Sequence, residues 1–528
     1  MTPCFPVDLP FMTTQYDGVP YPGHPYPQSY PDRLATLGLI FGLQPASVEC
    51  CRVLEIGCGD GENLIPLACS FPRGRFVGID LAARAIAKGG ETISVLGLEN
   101  ISLRILDLDE VTPELGEFDY IIAHGVYSWV PPRLRLKILS ICKENLAANG
   151  IAYISYNAYP GGHLRDMASE MMKFHVRGCS SAEDRISQSR SLMQFLSDVN
   201  VGHEKYGDFL QHEFKRIQTS DDSLIYHDDL SEFRTPVYFY QFIEDASRHG
   251  LQFLAEADFN EMQDAIYPAA VAEKLAQLNH DVILKEQYLD FLKCRTFRQT
   301  LLVHTEVKIN RVPNPGAVMH FYVASRAQPV SVSPNLTSKV IEEFKGVRGG
   351  AVKTDHSITK AALVYLASQW PKAVTFDHLL AEARTMLPPR ENSDPAELSE
   401  ILLQLYSAGV IEFHVHAPAF TLEVSERPTA SPLARHQVKT SIIVTALNYA
   451  SVKLEDSLSR SLLWLLDGTR DEAMLKRDLA QLIRAGSATV QTSEDGGHEA
   501  EAEKIVAIME DRIAVNLERF ARFPLLIS

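Results

Sequence analysis

The segment Val53-Leu-Glu55-Ile-Gly57-Cys-Gly59-Asp60-Gly61 carries the densest chemical information in the chain. Three glycines alternate with other residues, after a β-branched apolar run and before a helical pattern. Glycine tolerates positive φ and lets a ligand come close to the backbone. A glycine loop between a strand and a helix is where nucleotide-like ligands sit. A loop built for pyrophosphate would put its third glycine at position 62, which is Glu62. Instead the acids Glu55 and Asp60 bracket the loop. They disfavour a phosphate and favour a cation or an ammonium group. A tight turn without ligand is the alternative reading of the loop taken alone.

Three more signals follow at successive strand ends. Asp80 closes Phe76-Val-Gly-Ile-Asp80, where a carboxylate accepts from ribose hydroxyls; it also suits a helix N-cap. Asp107 and Leu108 end the next apolar run, placed for an adenine amino group and ring, or else an exposed turn. His124 ends Phe118-Asp-Tyr-Ile-Ile-Ala-His124, where a base or a structural histidine are both open readings. S-adenosylmethionine carries a sulfonium, an ammonium, a ribose and an adenine, and the set Glu55, Gly57, Gly59, Gly61, Asp80, Asp107, Leu108 and His124 matches it. Methyl transfer from it is an in-line displacement, so the protein aligns and desolvates the reactants. No metal is required. Aromatic faces stabilise the cationic groups involved. Tyr127 and Trp129 in HGVYSWVP, and Tyr156, Asn157 and Tyr159 in SYNAYPGG, fall at the same carboxyl edge and are the acceptor-side candidates. Core packing is the alternative for each. His227, in Ile225-Tyr-His227-Asp228-Asp229, suits a lid or a solvated loop, and His304 suits packing. Tyr21 and His24 could close over the cofactor.

The elements that position these residues alternate. Strands are expected at Arg52–Cys58, Arg75–Leu81, Ile101–Leu108, Phe118–Gly125 and Ile151–Asn157. Helices are expected at Asp32–Gly42, Glu62–Phe71, Ala82–Gly97 and Pro131–Asn149. Short, nearly continuous apolar strands alternating with helices give a doubly wound, Rossmann-like α/β sheet. Residues 1–31, rich in proline and tyrosine, read as an extended arm. The cofactor-binding core spans 32–162 and a helical insertion 163–250. Residues 251–310 hold two further strands, Leu251–Phe259 and Phe297–Val307, placed to complete the sheet. A connector spans 311–355. Three helices and a strand over 356–430 suggest a winged-helix-like α+β domain, and 431–528 a terminal helical module.

The chain has 528 residues, room for roughly three domains. Its 46% hydrophobic and 22% charged content excludes a mostly disordered chain. No apolar run reaches the length of a membrane-spanning helix, and MTPCFPVDLPFM lacks signal-peptide character, so a cytoplasmic location is expected. Net charge is −17 and pI about 5.5, which opposes nucleic-acid binding. The helix around Asp394–Ser407 carries Asp394, Glu397 and Glu400 and no Lys or Arg, so it makes no phosphate contacts. The eight cysteines include no CxxC, and neither a disulfide framework nor a zinc site is expected.

These motifs resemble the class I S-adenosylmethionine-dependent methyltransferases over residues 30–160. The phrases YPGHPYPQSYPDRLATL, GVYSWVP, SYNAYPGG, YFYQFIEDASRHGLQFLAEADF and EQYLDFLKCRTFRQTLLVH are further similar to bacterial members that carry a methyltransferase regulatory domain. The best-understood of these are rickettsial protein-lysine methyltransferases acting on an outer membrane protein. The resemblance implies a multidomain enzyme with a C-terminal winged-helix region and makes a protein lysine the leading acceptor. A biosynthetic small-molecule methyltransferase is the second reading, and a non-catalytic cofactor-binding scaffold the third. A homodimer is compatible with the apolar faces of the C-terminal half.

Overall fold

The computed structural model describes residues 19, 21, 23–264, 266–346, 350–388, 394–484 and 512–528. The arm residues before Val19 and the polar stretch 488–502 lie outside the described residues.

One seven-stranded sheet organises the N-terminal half. Its strands are β1 (Arg52–Ile56), β2 (Arg75–Asp80), β3 (Ile101–Ile105), β4 (Phe118–Ala123), β5 (Leu146–Asn157), β6 (Leu251–Glu256) and β7 (Phe297–His304). The order is β3-β2-β1-β4-β5-β7-β6. The first five strands run parallel, and β7 is antiparallel to both β5 and β6. The two strands expected beyond residue 250 therefore do complete the sheet. β4 is buried at every position, as a strand covered on both faces must be. The helix expected to run to Asn149 stops at Asn145. The reason is that Leu146 already pairs with Phe118 of β4, ahead of a register shift.

The insertion folds as helices Gly162–His175, Ala182–Val199 and Glu204–Thr219, packed around Met172, Met193, Leu210 and Ile217. Fully buried Arg298 ties β7 to β6 and to the helix that precedes it. It donates to Glu256 of β6 at 2.6 Å and to Asp290 and Glu286 of the helix Val282–Lys293 at 2.8 and 3.1 Å. Removing one partner of such a buried cluster leaves an uncompensated charge.

The connector contains its own small sheet, Gln328–Pro329, Glu342–Lys345 and Ala351–Thr354. Helices Ser357–Gln369, Phe376–Thr385 and Pro395–Ser407 follow, with the strands Tyr322–Ala324, Val374–Thr375 and Glu412–His414 forming a second three-stranded sheet. The last segment is a separate core. It holds the helices Pro432–Gln437, Ser457–Leu465, Glu472–Arg484 and 512–522, and one hairpin, Ile443–Thr445 with Ser451–Lys453. No helix among the described residues is long and apolar enough to cross a membrane.

Candidate functional site

The carboxyl ends of β1, β2 and β4 open into one cavity of about 1060 Å³. The loop after β1 turns on positive φ at Gly57 (+71°), Gly59 (+54°) and Gly61 (+77°). Gly57 and Cys58 donate to the Ile79 carbonyl, which ties the loop to β2. A Cβ on Gly57 would meet Val126 Cγ2 at 2.4 Å, whereas one on Gly59 would project into open space. Gly61 does not line the cavity. Its missing Cβ makes room for Leu103 and Ile65, so its role is packing.

Asp80 holds the loop from the next strand. Oδ2 accepts from Gly59 N and Oδ1 from Ala82 N, each at 2.8 Å. Each carboxylate oxygen retains a further lone pair, and the residue faces the cavity. Asp107 Oδ1 accepts from Asp109 N at 2.9 Å, and both Asp107 and Leu108 line the same space.

Glu55 is 3% exposed. Its Oε1 accepts from Asn63 Nδ2 at 2.7 Å, while Oε2 is buried without a hydrogen-bond partner among the described residues. Burial pushes its carboxyl up to about 8, against the pull of the Asn63 bond. Asp60, expected to act with Glu55, is instead paired with Lys88 at 2.7 Å. Among the described residues, Glu55 is the cavity-lining acid near β1 whose buried oxygen lacks a hydrogen-bond partner.

His124 is neutral: burial pushes it down to about 3. Its Nδ1 lies 2.8 Å from the Tyr153 hydroxyl and its ring stacks on Tyr26. The base reading therefore gives way to an aromatic wall. Tyr21, His24 and Tyr26 of the arm all line the cavity, with Tyr26 N donating to Asn63 Oδ1 at 2.8 Å.

On the acceptor side, Trp129 and Asn157 line the cavity. Asn157 is buried, and its Nδ2 has no partner among the described residues. Tyr127 does not reach it. The single turn Tyr127–Trp129 points that ring inward, 5.1 Å from Phe242 and 5.9 Å from Tyr156. Tyr156 is likewise core, with its hydroxyl 3.0 Å from Thr300. Tyr159 also lies outside the lining. Its ring stacks on His163 at 3.9 Å and its hydroxyl donates to Asp166 at 3.0 Å. His304 is packing, with Nε2 2.9 Å from the Leu146 carbonyl.

The far wall comes from the helical insertion, which the strand-end reasoning did not reach. Arg165, Glu213, Arg216, His227, Asp228 and Arg234 line it. Asp228 accepts from Arg165 at 3.5 Å, and burial pushes its carboxyl up to about 6. The His-Asp-Asp run at 227–229 is the sequence signal for this wall.

The geometry fits S-adenosylmethionine. The partnerless Glu55 oxygen suits an ammonium, Asp80 suits a ribose, and the open space over Gly59 admits a ligand against the backbone. The comparisons agree. Residues 54–152 match a methyltransferase domain, residues 221–304 a predicted methyltransferase regulatory domain, and residues 426–525 the C-terminal winged helix domain of PKMT. That winged-helix match falls on the segment expected to be a helical module, one domain later than the helices at 356–430. The chain is 32% identical to the uncharacterized protein RP789 of Rickettsia prowazekii, over 97% of this chain and 93% of that one. The structure of PKMT2 from Rickettsia typhi is 30% identical, with a TM-score of 0.84 over 96% of this chain and all of that one; it is also solved in complex with AdoHcy.

Proposed function

The chain belongs to the family of S-adenosylmethionine-dependent methyltransferases that includes PKMT2 from Rickettsia typhi, and from that premise we propose that it methylates the side-chain amine of a protein lysine. The observation that carries this reading is the cavity's far wall. There the half-buried Asp228 lines the same space as the cofactor residues. A lysine reaching that wall along Trp129 is a cation entering a desolvated site. Its ammonium is attracted by the aromatic face and the carboxylate.

The acceptor amine must lose a proton before it can attack. Asp228, its carboxyl pushed up to about 6 by burial and so ionised at neutral pH, accepts that proton and then releases it to solvent. Asn157 orients the amine. Glu55 binds the cofactor's ammonium, Asp80 its ribose and Asp107 its adenine. Tyr26, stacked on His124, shields the reacting groups from water. When bound, the cofactor supplies an electrophilic methyl group already activated by its sulfonium.

A small-molecule acceptor is the second reading. Arg165, Arg216 and Arg234 reach the cavity and would suit an anionic metabolite. Their pairing with Asp229, Asp228 and Asp166 leaves less positive charge than the residue types suggest. The deciding experiment uses methyl-labelled S-adenosylmethionine with a bacterial lysate, desalted or not. Base-resistant label in protein from the desalted lysate supports the lysine reading. Label confined to small molecules of the undesalted lysate overturns it.

A further inference from the structure

A hairpin of the C-terminal domain packs behind the cofactor site, against Asn63 of its lining. Its strands Ile443–Thr445 and Ser451–Lys453 pair antiparallel. Tyr449, in the turn between them, has φ +64°. That left-handed conformation is disfavoured for a residue with a Cβ. Such strain persists where surrounding contacts fix it, and here those contacts are in the catalytic domain. The Tyr449 ring stacks on Tyr30, centroids 4.6 Å apart and planes 11° from parallel. Its buried hydroxyl lies 2.5 Å from the Asn63 carbonyl oxygen and 2.7 Å from Asn63 Oδ1.

Asn63 is where three parts of the chain meet. Its Oδ1 accepts from the backbone N–H of Tyr26 in the arm and, shared with the Asn63 carbonyl oxygen, from the single hydroxyl hydrogen of Tyr449. A backbone N–H can only donate, so the amide oxygen must face these two groups. The amide nitrogen is thereby turned toward Glu55 and donates to Oε1 at 2.7 Å. The other oxygen of that carboxyl is the buried, partnerless one. A chain of direct contacts thus runs from the C-terminal hairpin, through Asn63, to the acid that faces the cofactor's amino-acid end.

We propose that Tyr449 is a positioning residue for cofactor binding. Its hydroxyl fixes Asn63, Asn63 fixes Glu55, and Glu55 meets the ammonium of S-adenosylmethionine. The docked C-terminal domain is therefore a structural part of the cofactor site, and its hairpin is engaged within the chain. The inference rests on the assignment of Glu55 to the ammonium and is independent of what the acceptor is.

The test compares two ligands in the full chain. S-adenosylhomocysteine carries the amino-acid arm, and 5′-methylthioadenosine shares the nucleoside and thioether but lacks that arm. Tyr449→Phe removes one oxygen and keeps the ring on Tyr30. It should weaken S-adenosylhomocysteine by roughly five- to tenfold, the size of a neutral hydrogen bond, with methylthioadenosine affinity unchanged. Equal weakening of both ligands, or no change in either, overturns the proposal. Glu55→Gln separates the two assignments. If Glu55→Gln leaves S-adenosylhomocysteine affinity intact, the ammonium assignment fails. If Glu55→Gln weakens it and Tyr449→Phe does not, Tyr449 has no positioning role. In the double variant the effect of Tyr449→Phe on S-adenosylhomocysteine should vanish, and a fully additive loss overturns the relay.

Discussion

The rings of Tyr26 and His124 lie stacked, with centroids 3.6 Å apart and planes inclined by 23°. One belongs to the arm and the other to the end of β4, so this contact closes the arm over the sheet edge. Burial keeps both neutral: it pushes the imidazole down to about 3 and the phenol upward. Tyr26→Ala should weaken S-adenosylhomocysteine by roughly tenfold, since an aromatic pair is worth about 1 kcal/mol beyond its buried area. The loss should be the same at mildly acidic and mildly basic pH, because neither ring titrates there. Calorimetry at two pH values checks this.

Gly57 and Gly59 should fail differently. At Gly57 a Cβ strikes Val126 within the protein, whereas at Gly59 it enters the space where the ligand is placed. Gly57→Ala should lower Tm and weaken binding together. Gly59→Arg should abolish cofactor binding at a cost of about 1–2 kcal/mol in stability, from its positive φ alone. Thermal melts with and without S-adenosylhomocysteine distinguish the two. A Gly59→Arg variant that still binds sinks the assignment of the loop.

Cofactor binding should depend on pH through Glu55. Its carboxyl sits near 8 without ligand, and an ammonium beside Oε2 would draw it down. Binding therefore releases a proton below about pH 8, so affinity rises as pH increases from roughly 6 to 8. Glu55→Gln should flatten that rise and lower affinity at pH 8. A wild-type affinity that falls over this interval would place the ammonium elsewhere.

How much of this was legible in the sequence depends on distance along the chain. The five parallel strands announced themselves as short, nearly continuous apolar runs, and Glu55, Asp80 and Asp107 fell at or just past the ends of the first three. Leu251–Glu256 and Phe297–His304 were readable as strands for the same reason. The direction of a ring in a one-turn helix is not encoded in composition. Tyr127 and Trp129, two residues apart, therefore looked alike, and only Trp129 faces the cavity. The contact of Tyr449 with Asn63 spans 386 residues and leaves no periodicity. The hairpin that carries Tyr449 has strands of three residues each, too short for alternation to reveal. A C-terminal winged-helix region was expected from the resemblance, and its match lies at 426–525, where these short strands give no pattern to place it.

The acceptor side gives the most discriminating prediction. Asp228 lines the cavity with its carboxyl pushed up to about 6 by burial, partly offset by Arg165. If it must be ionised to receive the acceptor's proton, the rate falls as pH drops through about 6 and is unaffected by this group above it. Asp228→Asn should lower kcat by roughly a hundredfold, within the usual contribution of general base catalysis, and remove the acid limb of the profile. Cofactor affinity should not change, because Glu55, Asp80 and Asp107 are untouched. Tyr159→Phe, which alters a hydroxyl bound to Asp166 outside the cavity, should turn over within about twofold of wild type. Steady-state rates across pH with an identified acceptor, alongside cofactor Kd values, check all three. A normal acid limb in Asp228→Asn would move the proton-accepting role to another group on the far wall, with Glu213 next to be tested because it lines the same cavity.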